Sequence, residues 1–178
     1  SLCCPYPSCV NEYVGNQDIS ECPICPDNFY VDCTNTEGGN GSVEDPFTTI
    51  EDGINATLGN GERVLVYPCT YQENIDYDGK NIIVESIEGP ENTIIDGSNG
   101  ASNVSVVEFE NDESASTKLK GFTITGGGTS SSIEYGGGIY IENGASIKLQ
   151  NCIIKDNTCQ GGGSSGFGGG YYSYGSSS

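Results

Sequence analysis

Leu119-Lys-Gly-Phe122-Thr-Ile124-Thr125 and Leu149-Gln-Asn-Cys152-Ile-Ile154-Lys155 are the same phrase written twice, 30 residues apart. A second pair, Val107-Glu-Phe-Glu-Asn111 and Ile139-Tyr-Ile-Glu-Asn143, is offset by 32. The difference falls in the loop Glu113–Thr117, where insertions cost little. A third copy opens further on: Phe167-Gly-Gly-Gly-Tyr-Tyr-Ser-Tyr-Gly-Ser-Ser-Ser178 matches Tyr135-Gly-Gly-Gly-Ile-Tyr-Ile-Glu-Asn-Gly-Ala-Ser146, again at 32. This Gly/Ser/Tyr stretch has two readings, the opening half of another repeat or a flexible linker. A repeat of about thirty residues that holds several short strands and no helix predicts an all-β solenoid. Each coil stacks on the last, strands pair in parallel, and inward side chains form ladders such as Phe122 over Cys152 and Ile124 over Ile154. Glycines at 126–128, 136–138 and 161–163 serve sharp corners. Asn111, Asn143 and Asn157 suit corners that need left-handed backbone.

Working outward, short Val/Ile-rich runs broken by Gly, Asn and Asp mark strands at Phe29–Asp32, Arg63–Tyr67, Asn74–Tyr77, Ile82–Glu85, Thr93–Ile95, Val104–Phe109, Lys118–Thr125, Ile139–Ile141, Ile147–Gln150 and Cys152–Lys155. One helix is expected over 46–58. Asp45 is placed to cap it, Pro46 to open it and Gly59 to follow it, and Phe47, Ile50, Ile54 and Leu58 share one face. Gly53 weakens it. The division is then a Cys/Pro-rich cap over 1–28, which cannot build a core alone, and a parallel β-helix over 29–178 whose last coil is incomplete.

The chain has 178 residues, with 25 acidic and 6 basic side chains and a formal charge of −19. It contains no His, Met or Trp and 27 glycines. Without histidine there is no Ser-His-Asp or Cys-His nucleophile system and no histidine metal ligand. Such acidity argues against a nucleic-acid partner, which would need basic patches. No apolar run reaches the 18 residues of a membrane span. No cofactor is expected.

Of nine cysteines, six lie in the first 33 residues. The opening Ser1-Leu2-Cys3-Cys4 has no signal-peptide pattern and reads as a processed N-terminus. Dense cysteine in a short segment points to disulfides in an oxidising compartment. The candidates are Cys3, Cys4, Cys9, Cys22, Cys25, Cys33, Cys69 and Cys159. Cys152 aligns with Phe122 and is expected as a buried free thiol. Cys33 ends the first strand and Cys69 its neighbour one coil on, so those two are the preferred pair. Zinc is the rival, through the CxxC spacing of Cys22 and Cys25 with ligands from Cys3, Cys4 and Cys9. Sequons at Asn40, Asn55 and Asn103 would carry N-linked glycans on a secreted chain.

From about residue 29 the chain resembles the right-handed parallel β-helix proteins of the pectin-lyase-like superfamily. The resemblance rests on Asp45-Pro-Phe-Thr-Thr-Ile50 before a helix, on Arg63-Val-Leu-Val-Tyr-Pro-Cys-Thr-Tyr-Gln-Glu-Asn74 as a first coil, and on Gly89-Pro-Glu-Asn-Thr-Ile-Ile-Asp-Gly97 and Leu119–Gly127 as later ones. Cys69 stands where a glycine is usual. Tyr135-Gly-Gly-Gly-Ile-Tyr-Ile-Glu-Asn143 resembles the glycine-rich repeat of polymorphic outer-membrane-type surface proteins. The resemblance implies a fold more than an activity. Its enzymes cleave acidic polysaccharides with a calcium-bound aspartate cluster and an Arg or Lys base, or with clustered aspartates and a histidine. Here Arg63, the only arginine, reads as a rim charge. Asp76 and Asp78 alternate along a strand and are expected to face solvent together, where a pair of carboxylates could do acid/base work or bind calcium.

Two functions stand against each other. The first is a secreted, glycosylated, non-catalytic structural protein, a subunit of an extracellular fibre, surface layer or adhesin stalk. The second is a carbohydrate-binding or polysaccharide-degrading β-helix module whose catalytic coils are lost or lie elsewhere. Under the first, the chain is not an enzyme and its partner is itself, head to tail, because an incomplete coil leaves an unguarded strand edge. The −19 surface is expected to hold such fibres apart sideways.

Overall fold

The computed structural model describes residues 28–99, 105–128, 137–159 and 170–173. They are mostly β, in parallel sheets, with one helix. In chain order the strands are β1 (Asn28–Val31), β2 (Asn60–Val66), β3 (Thr70–Tyr71), β4 (Ile75–Asp76), β5 (Asn81–Ser86), β6 (Ile94–Asp96), β7 (Val107–Phe109), β8 (Lys118–Lys120), β9 (Thr123–Thr125), β10 (Ile139–Ile141), β11 (Lys148–Gln150), β12 (Ile153–Ile154) and β13 (Tyr171–Ser173). The helix, α1, spans Ile50–Ala56. The first sheet has the order β1-β2-β5-β8-β11, the second β3-β6-β9-β12 and the third β4-β7-β10-β13. From β2 onward the chain visits the three sheets in turn, four times over.

The pairings follow the internal repeat. Leu119 lies beside Leu149 and Ile124 beside Ile154, at the offset of 30. Ile139 sits between Val107 and Tyr171, at 32 on either side. Alternating side chains point into the molecule. Val64, Val84 and Leu119 line the inner side of the first sheet, Tyr71, Ile95 and Ile124 the second, and Ile75, Val107 and Ile139 the third, all buried. Burying each such side chain contributes roughly 1.5–3 kcal/mol. The Tyr77 and Phe109 rings meet at 4.4 Å, and the Tyr77 hydroxyl donates to the Lys118 carbonyl at 3.0 Å, so that its buried oxygen is satisfied.

One break in the expected strands has a local cause. Lys118–Thr125, expected as one strand, is two strands in different sheets, because Gly121 at φ +82° turns the chain between them. Left-handed corners also fall elsewhere than foreseen. Asn143 has φ +49°, but the others are Asp78, Asp112, Asn151 and Asp156 rather than Asn111 and Asn157. Asn157 serves its corner through the side chain instead: its amide donates to the carbonyls of Ile124 and Lys155, and its oxygen accepts from Gly127 N–H at 2.9 Å.

The helix is shorter than 46–58, and Asp45 does not cap it. Phe47 instead bonds along β1, donating to the Tyr30 carbonyl at 2.9 Å and accepting from Asp32 N–H at 2.8 Å. That extended pairing is incompatible with helical backbone, so α1 waits for Thr49, whose hydroxyl accepts from Asp52 N–H at 3.1 Å. Leu58 falls beyond the helix and is exposed. Gly53 marks a close approach: a Cβ there would lie 2.7 Å from Val64 and 2.9 Å from Val31. The helix rests on β1, β2 and β4 at the end of the stack where the sheets begin.

Candidate functional site

Three features outside the core carry chemistry. The first is an acidic patch on the outer side of the third sheet. Asp76 on β4 pairs in register with Glu108 on β7, and Glu110 follows two residues on, so strand alternation turns all three outward. One carboxylate oxygen from each lies within 4.8 Å of the others. Burial pushes the Glu108 carboxyl up, and the charges of Glu110 and Asp76 add to this against one hydrogen bond from Ser105 N–H. Glu110 is raised by burial and by Asp76, Glu142 and Glu113. In the next layer the Tyr140 hydroxyl donates to Glu142. Glu51 of α1 joins from the side, accepting from Asp76 N–H at 3.2 Å; burial raises it as well.

The anticipated pair of Asp76 and Asp78 is not what assembles here. Asp78 occupies a left-handed turn, and its N–H bonds back to Asp76 Oδ1 at 2.9 Å. Asp76 therefore meets carboxylates one layer away, a cross-strand relation that spacing along a single strand does not reveal. Three carboxylates supply hard oxygen ligands of the kind calcium takes, but fewer than the six to eight it needs. They stand side by side on adjacent strands, whereas glycoside hydrolysis places its two carboxyls on either side of the bond to be broken.

The second feature is the end of α1 and the disulfide. Glu73, largely buried, accepts from Ile50 N–H at 2.9 Å and Glu51 N–H at 3.0 Å. Burial pushes its carboxyl up to about 6 in spite of those bonds. Cys33 and Cys69 form a disulfide across 36 residues, with Cα atoms 6.4 Å apart. It ties the segment after β1 to the start of β3. Cys159 is half-buried. Cys3, Cys4, Cys9, Cys22 and Cys25 lie outside the described residues, as does nearly all of the cap expected at 1–28. Asn40 and Asn55 are exposed, and Asn103 lies outside the described residues. Arg63 lies on the outer side of the first sheet and pairs with Glu85.

The third feature is the far end of the stack. Leu119, Phe122 and Ile124 are wholly buried, but Leu149, Cys152 and Ile154, one layer on, are only half-buried. Cys152 is thus not the buried thiol expected. It lies against the core, with its sulfur 3.5 Å from the Leu119 carbonyl, and among the described residues no layer covers it. Ile153 on β12 is 42% exposed. Among the described residues, β11, β12 and β13 each pair on one side only. At the opposite end, the β1 edge is occupied by the segment 41–47, through Tyr30 N–H to Gly41 and the Phe47 bonds. No helix among the described residues is long and apolar enough to cross a membrane. In comparisons with known proteins, no family model, no curated protein and no solved structure matches this chain.

Proposed function

We propose that this chain is a secreted, non-catalytic structural glycoprotein, a right-handed parallel β-helix of pectin-lyase-like type that forms a subunit of an extracellular fibre or surface layer. The observation that carries the reading is the half-buried ladder end at Leu149, Cys152 and Ile154, beside three strands that among the described residues have one open edge each. One further layer of parallel strands would complete both the burial and the hydrogen bonding. The occupant we propose is a second copy of the chain, joined head to tail. Charge favours this polarity: residues 1–113 hold 22 acidic and 2 basic side chains, and residues 114–178 hold 3 and 4. An acidic head meets a near-neutral tail without the repulsion that two heads would suffer. The Cys33–Cys69 bond supports an oxidising compartment, and the exposure of Asn40 and Asn55 supports glycosylation.

Sedimentation velocity of the intact chain over a hundredfold concentration range tests the assembly. Mass that grows with concentration is expected, and Leu149→Lys with Ile153→Lys should abolish the growth. A monomer throughout would mean that more of the same polypeptide, not a second copy, covers the ladder. A second reading, a carbohydrate-binding or -degrading module, draws on Asp76, Glu108 and Glu110. Retention on a polysaccharide column that is lost in Glu108→Gln would favour it.

A further inference from the structure

The six basic residues are not spread evenly over the molecule. Register places Arg63, Ile83, Lys118 and Lys148 in one outward column of the first sheet, and Leu65, Glu85, Lys120 and Gln150 in the next. Four of the six basic residues thus stand on one face; the one carboxylate in these two columns is Glu85, which bonds to both Arg63 and Lys120. Burial acts to raise the Glu85 carboxyl, but those two cations hold it low. The outer side of the third sheet is the reverse. Asp76, Glu108 and Glu110 cluster there, Glu142 follows one layer on, and no Lys or Arg occupies an outward position of β4, β7 or β10. A chain of charge −19 therefore carries one cationic face and one purely anionic face. Both repeat at the same interval of about 4.8 Å, because both are built from the same stack of layers.

We propose that the first-sheet face of one copy docks against the third-sheet face of another, so that the fibres of the preceding reading associate sideways. The inference rests on that reading and extends it from the ends of the molecule to its flanks. It reverses the expectation that net charge keeps fibres apart, and screening lengths give the reason. At about 0.15 M salt the Debye length is about 8 Å, so distant carboxylates are muted while pairs in contact still attract. At 0.01 M it is about 30 Å, and the whole −19 repels. At 1 M it is about 3 Å, and the contact pairs weaken too. Side-to-side association should therefore pass through a maximum near physiological ionic strength. The end-to-end contact, made of backbone hydrogen bonds and apolar side chains, should survive 1 M salt. The contact is heterologous, so it propagates into bundles instead of closing.

The test uses two charge-reversed chains, Lys118→Glu/Lys120→Glu and Glu108→Lys/Glu110→Lys, with a chelator present so that no divalent ion bridges acidic faces. Lateral association is read by light scattering and negative-stain images. Each variant alone should lose it about tenfold or more, since the first variant has two anionic faces and the second has a third-sheet face with no net charge, so neither keeps a pair of opposite faces. An equimolar mixture should regain lateral pairing, because the unaltered cationic first face of one variant meets the unaltered anionic third face of the other. The unsubstituted chain should show the maximum with salt, a readout that does not depend on whether the variants fold. Lateral association undiminished in a single variant, a mixture that stays apart, or association rising steadily to 1 M would overturn the proposal. Single filaments that never bundle would sink it while leaving the fibre reading intact, and side-by-side clusters without end-to-end growth would do the opposite.

Discussion

Ile124 and Ile154 occupy equivalent places one layer apart, yet they should answer differently to the same substitution. Ile124 is wholly buried, so Ile124→Ala should cost about 2–5 kcal/mol, lost burial plus a cavity. Ile154 is already half-exposed, and Ile154→Ala should cost less than half as much in the monomer. Urea denaturation of the two variants checks this; equal losses would mean that the ladder end is covered in solution. Glu73 makes the second test at this level. Its carboxyl is raised to about 6 by burial, so the folded chain favours its protonated form. The associated stability is fully present below the unfolded value near 4.5 and lost as pH rises through about 6. Its size is about 2 kcal/mol, from 1.36 kcal/mol per unit. The raised Glu51, Glu108 and Glu110 act in the same direction. The chain should be harder to unfold at pH 5 than at pH 7.5, and Glu73→Gln should flatten that slope. A stability that increases with pH over this range would contradict the assignment.

The strands show how far the residues speak for themselves. The spacing of 30 between Leu119 and Leu149, and of 32 between Val107 and Ile139, states which strands pair and in what register, because a parallel ladder copies sequence offset into space. Helix bounds were less legible: Pro46 and Phe47 carry good helix-opening signals, but β1 offers their backbone an extended partner, and tertiary pairing outweighs propensity. The acidic trio was half legible. Asp76 stood out, but Glu108 and Glu110 join it only through a register one layer away. By sequence Gly121 reads as part of a strand, whereas its positive φ makes it the hinge between two sheets. Gly121→Val should be strained there and cost roughly 1–3 kcal/mol, with a Cβ only 3.3 Å from Ser86. Thermal unfolding would record this; a neutral result would place the turn elsewhere. The Cys33–Cys69 bond fastens the segment after β1 to β3. Replacing both by serine should cost about 2–4 kcal/mol through loop entropy, seen as a lower urea midpoint.

Taken together, the chain has two unlike ends and two unlike flanks. One end is closed by α1, by segment 41–47 and by the disulfide, and among the described residues the other exposes half-buried apolar side chains and strands with free edges. Among the described residues the negative charge is concentrated toward the closed end, with 18 acidic and 2 basic side chains up to residue 113 and 2 and 4 beyond it. Under the proposed reading, a body polarised in this way would stack in one direction, with growth limited by concentration. Direct imaging of the purified, disulfide-intact chain by negative stain, at concentrations from well below to well above one micromolar, examines this most directly. At about 0.01 M salt, where the whole negative charge repels and sideways contact is suppressed, the account predicts filaments one molecule wide whose length increases with concentration. Isolated particles of constant size at every concentration would contradict it.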